Sequence, residues 1–288
     1  MKILFIGVFD NQRKSTNNSQ LLAFKQLGFK VSGYNYRHKA SLIGLENRDK
    51  HLAQTVGDGN FDLVVYSKCN NVSSETFKAI NEKTKTCLWF MDPLISYNDE
   101  MREKTLLVDY FCCDKENVLE EALQINPQSF HVCEGFDPEV DKPRDVEKKY
   151  DVSFIGNLYG ERKELINQIE HPVELINNAY GKQHSIEVSK SKINLNFCTS
   201  DGASDRVYKI LSAGGFLLSN DWKNRENYLT DGKECVIFNT IDDLNEKIEM
   251  YLANPDLAKQ IAEQGRKAIQ QFNRLNWAQK IVELSNEV

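Results

Sequence analysis

The sequence predicts an α/β protein built on parallel sheets, and three observations carry that prediction. Strand-like and helix-like segments alternate along all 288 residues, the order that parallel sheets require. The apolar runs are short, four to eight residues, and are bounded by polar or glycine-bearing turns, as buried strands are. The pattern breaks once, over Pro138–Tyr150, where Pro143 and several charges read as a linker between two such halves.

Taken in order, Lys2–Val8 is the first strand and Ser19–Leu27 a helix ending at Gly28. Lys30–Tyr36 and Asp62–Ser67 are the next strands, and Thr86–Met91 another, stopped by Asp92-Pro93. Asp109–Cys113 and Phe130–Cys133 complete the first sheet. A second sheet begins at Asp151–Gly156 and continues with Asn194–Cys198, Phe216–Ser219 and Cys235–Phe238. Helices are expected over 161–169, 204–213, 241–252 and 255–272, with a last one at Trp277–Leu284.

Composition excludes several classes. No apolar run approaches the ~18 residues that a membrane-spanning helix needs. The opening MKILFIGVFD turns polar too quickly for a secretion signal. Seven scattered cysteines with no Cys-x2-Cys pair disfavour structural zinc and fit reduced thiols in a cytoplasm. The net charge of −6 argues against a general nucleic-acid binder, yet residues 1–50 hold nine Lys/Arg against three Asp/Glu. Such asymmetry marks either a polyanion-facing surface or a solvated lysine-rich face.

The most informative stretch is SDGASDRVYKILSAGGFLLSND, residues 200–221. Ser204 or Asp205 caps a helix of about ten residues, because a side-chain oxygen there satisfies free backbone N–H groups. Gly214-Gly215 ends it where a left-handed residue is needed. A helix N-terminus favours anions, and Arg206 and Lys209 add two charges close to it. Together they sketch a diphosphate cradle.

That arrangement resembles the donor-binding segment of nucleotide-sugar glycosyltransferases with two Rossmann-like domains (GT-B). It looks closest to their spore maturation protein-like branch, with its Arg-x-aromatic-Glu, small apolar residues, Gly-Gly and strand. DVSFIGNLYGERKELI (151–166), FHVCEGFDPEVDKP (130–143) and ECVIFNTIDDLNEKIEMYLANPDLAKQIAEQGRKAI (234–269) are similar to further family segments, in the same order. The resemblance covers residues 130–288 well and the rest loosely. It implies two Rossmann-like domains with parallel sheets facing a cleft: an acceptor-side domain over 1–140 and a nucleotide-sugar domain over 150–274. It further implies a helix at 275–288 crossing back to the first domain. The donor would meet Gly156, Asn157, Arg162, Ser204, Asp205, Arg206 and Gly214, with Arg162 supporting the leaving group. No Asp-x-Asp triplet occurs, and the resemblance implies a metal-independent enzyme without a cofactor.

Lys209 departs from the family pattern, which has a ribose-binding Glu there; an ammonium only donates hydrogen bonds. Two readings stay open. Lys209 holds phosphates while Asp201 or Asp205 takes the ribose, or the site has decayed. A plain Asp205–Lys209 pair one helical turn apart is the bland version.

In parallel sheets ligands bind beyond the carboxyl ends of the strands. The loop after the first strand carries Arg13, Lys14, Ser15, Thr16 and Asn17, and the one after the second carries Arg37 and Lys39. These are the acceptor-side candidates, for an anionic polymer that includes nucleic acid, where a modified DNA base is one acceptor. Each is equally an ordinary solvated turn. Asp92, and after it Asp10, is the candidate base for an acceptor hydroxyl, although Asp-Pro is also a common strand stop. The competing classes are a decayed binding module and a nucleotide-sugar epimerase. The latter needs buried carboxylate pairs, for which only Asp92 and Asp10 offer themselves. His131, His171 and His184 lack metal-ligand spacing and read as ordinary residues.

Overall fold

Residues 1–10, 15–198 and 202–288 are described by the computed structural model. They fall into two units, Met1–Glu134 with Arg274–Val288, and Gly135–Asn273.

The first unit runs β1 (Lys2–Gly7), α1 (Thr16–Gln26), β2 (Lys30–Asn35), α2 (Tyr36–Ile43), α3 (Leu45–Gly59), β3 (Leu63–Ser67), α4 (Ser74–Asn81) and β4 (Lys85–Phe90). It continues with α5 (Asp99–Leu107), β5 (Tyr110–Cys113), α6 (Glu116–Ala122) and β6 (Ser129–His131). The strands pair in parallel in the order β2-β1-β3-β4-β5-β6. Side chains alternate between faces, so Leu4, Ile6, Val64, Tyr66, Leu88 and Phe90 enter one core while Ile3, Phe5, Leu63, Val65, Cys87 and Trp89 enter another. Both faces are covered, which is why these strands read as unbroken apolar runs.

The second face is closed by α1 and by the chain's last helix, α12 (Arg274–Glu287). Trp277 supplies the centre of that contact. Its ring lies 5.3 Å from Phe24, 5.4 Å from Trp89 and 6.2 Å from Phe5. Tyr110 donates its hydroxyl to the Ile281 carbonyl at 2.7 Å, tying β5 to the same helix.

The second unit holds β7 (Tyr150–Ile155), α7 (Arg162–Asn167), β8 (Val173–Ile176), α8 (Lys182–Lys190), β9 (Ser191–Asn196), α9 (Asp205–Ser212), β10 (Leu217–Asn220) and β11 (Val236–Phe238). Helices α10 (Ile241–Ala253) and α11 (Pro255–Ala268) close it. Its parallel sheet is ordered β11-β10-β9-β7-β8, over a core that includes Val152, Phe154, Leu195, Leu218, Ile248 and Ile261. Gly214, at φ +75°, ends α9 in the left-handed conformation, and Gly215 N–H returns to the Ile210 carbonyl at 2.9 Å.

Most expected elements lie within three residues of their observed bounds. Helix α1 begins earlier than expected, at Thr16, because the Ser15 hydroxyl accepts from Asn17 N–H and caps it there. Helix α11 stops at Ala268, before the expected end, and Phe272 instead gives its carbonyl to Phe136 N–H at 3.1 Å. Strand β8 and helix α8 were not anticipated. In both sheets the first strand lies between the second and the third. Ligands of such sheets sit where the chain switches direction, at the carboxyl ends of β1 and β3, and of β7 and β9.

Candidate active site

At the β7/β9 switch point the second unit gathers two guanidinium groups. Gly156 follows β7 at φ +148°, and a Cβ there would lie 2.7 Å from Arg206 Nη2. A side chain there would be strained at this φ and would push the Arg206 guanidinium aside. The loop then runs through exposed Asn157 to α7, whose first residue, Arg162, is buried. Arg162 donates to the carbonyls of Phe197 at 3.1 Å and Asn157 at 3.3 Å.

Arg206, half-buried in the first turn of α9, lies 5.0 Å from the Phe154 ring centre, and Arg162 lies 5.9 Å from the same ring. Tyr159 packs on Arg162 at 4.3 Å and is 59% exposed. Burial, and next the charge of Arg162, lower the pKa of Arg206. Neither arginine forms an ion pair among the described residues, and each engages only part of its five N–H donors. Two neighbouring cations with spare donors suit an oxyanion with several oxygens.

Asn196 organises this corner, and sequence reasoning missed it. It is fully buried, its Oδ1 accepting from Arg206 Nη1 at 3.1 Å and from Ser204 Oγ at 3.4 Å. Its Nδ2 donates to Ser219 Oγ at 3.0 Å and contacts Cys198 Sγ at 3.0 Å. The available signal was an asparagine inside the apolar run INLNF. Ser204 occupies the N-cap of α9 with extended backbone, but its hydroxyl goes to Asn196 and makes no cap hydrogen bond.

The other donor-side candidates are spread along α9. Lys209 pairs with Asp205 at 2.5 Å, one turn in, with both side chains partly exposed. Gly214 lies at the opposite end of the helix from Arg206, where a Cβ would lie 3.4 Å from Pro143. Asp201 lies outside the described residues. His184 on α8 is buried, its Nδ1 has no hydrogen-bond partner among the described residues, and burial followed by the Lys209 charge lowers its pKa to about 3.

In the first unit the candidates divide into two groups. Arg13 and Lys14 lie outside the described residues. Asp10 accepts from Ser15 N–H at 2.6 Å, and Ser15 Oγ donates to the Val8 carbonyl at 2.6 Å. Thr16 is partly exposed, whereas Asn17 is turned inward, accepting from Val8 N–H at 2.8 Å and donating to Ser67 at 2.8 Å. Asn17 therefore orders the loop. Asn35 links the next loop by donating to the Phe9 carbonyl at 2.6 Å; beyond it Arg37 is exposed and Lys39 partly so.

Asp92, at the end of β4, receives Lys68 Nζ on both oxygens, at 2.7 and 2.9 Å. Lys68 follows β3, and it and Cys69 both have left-handed φ, near +59° and +58°. Lys104, fully buried, holds that turn by donating to the Cys69 carbonyl at 2.9 Å. Sequence reasoning did not identify Lys68. Among the described residues no group of three or more His, Cys, Asp or Glu could hold a metal ion. No described helix is long and apolar enough to cross a membrane.

Residues 142–284 match the model of the glycosyl transferase-like family. The whole chain is similar in fold to Anabaena HepE, solved in complex with UDP-glucose, at 12% identity and a TM-score of 0.69, covering 100% of both chains. It is likewise similar to sucrose-phosphate synthase from Thermosynechococcus elongatus, at 11% identity and a TM-score of 0.71, covering 99% of this chain and 98% of that one. The lipopolysaccharide outer core galactosyltransferase WaaB is a third, at 11% identity and a TM-score of 0.63, covering 100% and 99%. The fold is that of GT-B glycosyltransferases: two parallel-sheet, Rossmann-like α/β domains. No curated protein matches the chain in sequence.

Proposed function

We propose that this chain, with its glycosyl transferase-like segment over 142–284 and its GT-B fold, is a metal-independent glycosyltransferase that uses a nucleotide-diphosphate sugar. The observation that carries the reading is the Arg162–Arg206 pair at the β7/β9 switch point, two cations without a carboxylate partner among the described residues. The UDP-glucose bound to the similarly folded HepE makes UDP-sugars the first donors to test.

In this reading the donor diphosphate lies against the two guanidinium groups and the N-terminus of α9. As the anomeric C–O bond breaks, its electron pair passes to the diphosphate, whose growing charge the arginines stabilise. The acceptor oxygen forms the new bond, and in an inverting reaction its proton goes to Asp92, which Lys68 holds in place. Asp205, anchored by Lys209, is the remaining carboxylate on α9 for the ribose, in place of the family glutamate. Arg206-Val207-Tyr208 keeps the Arg-x-aromatic part of the spore maturation protein-like pattern. The basic stretch of residues 1–50 supports an anionic acceptor, of which a modified base in DNA is one candidate. Six of the seven cysteines are buried, which suits a cytoplasmic protein.

A second reading, a decayed transferase that binds without turnover, is favoured by one observation: Lys209 is committed to Asp205. Thermal unfolding with UDP, GDP, ADP, CMP and their sugar conjugates tests the donor site, because a ligand of the native state raises Tm by mass action. Stabilisation together with slow donor hydrolysis supports the enzyme, and stabilisation without hydrolysis the binding module. No shift with any nucleotide removes both.

A further inference from the structure

The turn between α2 and α3 takes no part in the reading above. Leu42 is 65% exposed, Leu45 56% and Ile43 37%, around Gly44 at φ +83°. Single exposed leucines are ordinary, but three aliphatic side chains within four positions of one turn form a patch. Leu42 lies one helical turn from His38 on α2, and Leu45 opens α3 just beyond Gly44.

The same helix carries cations. Arg37 and His38 are exposed and Lys39 partly so. Arg37 lies 5.7 Å from the Tyr36 ring centre and donates Nε to the Tyr36 hydroxyl at 3.2 Å, so its charge is held at the base of the helix. The nearest acid in sequence, Glu46, pairs with Lys50 at 2.7 Å. Helix α2 continues directly from β2 and so starts at the carboxyl end of the first sheet, the end that also carries Asp10, Lys68 and Asp92.

A phosphate backbone would neutralise the cations and leave the leucines in water. An anionic bilayer takes both, its headgroups meeting the basic residues and its acyl boundary the aliphatic ones. We propose that the α2–α3 turn is a docking surface for an anionic lipid bilayer, with Leu42, Ile43 and Leu45 entering the interface and Arg37 and Lys39 at the headgroups. The surface does not depend on the donor reading, but it brings the acceptor end of the first unit to a membrane.

Co-sedimentation of the full chain with vesicles tests this, using phosphatidylcholine alone and in equal parts with phosphatidylglycerol. The chain sediments with the mixed vesicles at low salt and not with phosphatidylcholine alone. Arg37→Ser weakens that partition about fivefold, the worth of one basic residue near an anionic surface. The double variant Leu42→Ser/Leu45→Ser weakens it at least as much, while keeping the parent's circular dichroism and its stabilisation by a donor nucleotide. A parent chain that stays in the supernatant with both vesicle types overturns the proposal, as does a double variant that sediments like the parent. Two further results also overturn it by naming another occupant. One is a dimer that the double substitution turns into a monomer on size exclusion. The other is duplex DNA that displaces the vesicles and binds the double variant as it binds the parent.

Discussion

Arg162 and Arg206 share one aromatic ring, Phe154, at 5.9 and 5.0 Å, and neither forms an ion pair with a carboxylate among the described residues. Like charges this close raise the free energy of the empty protein, and an anion placed between them lowers it. Arg206→Met should therefore weaken nucleotide binding about ten- to a hundredfold, the worth of one or two charge-assisted hydrogen bonds. It should leave the ligand-free Tm unchanged or raised. Calorimetric titration and thermal unfolding on one preparation check both. A variant that loses Tm and keeps its affinity would make Arg206 structural.

Asp92→Asn keeps the shape of the β4 end while removing the proton acceptor that Lys68 holds. If Asp92 is the base, transfer falls by about 10²–10⁴-fold while nucleotide stabilisation persists. Transfer within a few fold of the parent would exclude the role.

Asn196→Ala removes a buried hub that touches Arg206, Ser204, Ser219 and Cys198. The expected cost is about 2–3 kcal/mol, chiefly from polar groups left without partners. Urea unfolding reads it directly. Because Arg206 loses its hydrogen-bonding side-chain partner among the described residues, nucleotide affinity should fall as well.

His184 gives the protein an acid limb. Burial lowers its pKa from 6.5 to about 3, so the folded protein keeps it neutral where the unfolded chain protonates it. The unfolded state thus binds more protons between these values, and stability falls as pH drops below 6.5. The slope reaches about 1.4 kcal/mol per pH unit from this group alone. Above that range the residue contributes no pH dependence. His184→Gln should flatten this part of the stability curve, and an unchanged acid limb would assign it to other groups.

Trp277→Ala should cost about 3–5 kcal/mol, as an aromatic side chain lost from a sealed core does. Its ring meets Phe24, Trp89 and Phe5. Denaturant unfolding followed by circular dichroism would report this.

Much of the first unit was legible because the buried strands of its sheet are apolar on both faces: FIG, LVVY and CLWF mark their places without any partner. Strand β8 escaped because it is an edge strand, its VELI carrying a glutamate and largely exposed side chains. Helix α8, KQHSIEVSK, is short and mixed in character, and it buries His184 and Glu187 together with Val188. Without β8 the strand order, and with it the switch point, could not be read. Arg162 and Arg206 stood out as cations beside a loop and a helix start. Asn196 and Lys68 did not, since their importance comes from partners far away in sequence: Ser219 for the first, Asp92 for the second.

The α12 contact also bears on the order in which the protein is made. Residues 1–134 leave the ribosome with one face of their sheet, Phe5, Cys87 and Trp89 included, still lacking Trp277. All of the second unit is synthesised before that residue appears. The unit that starts first is thus the last to be sealed, and until then its open apolar face is the natural place for a chaperone to hold the nascent chain.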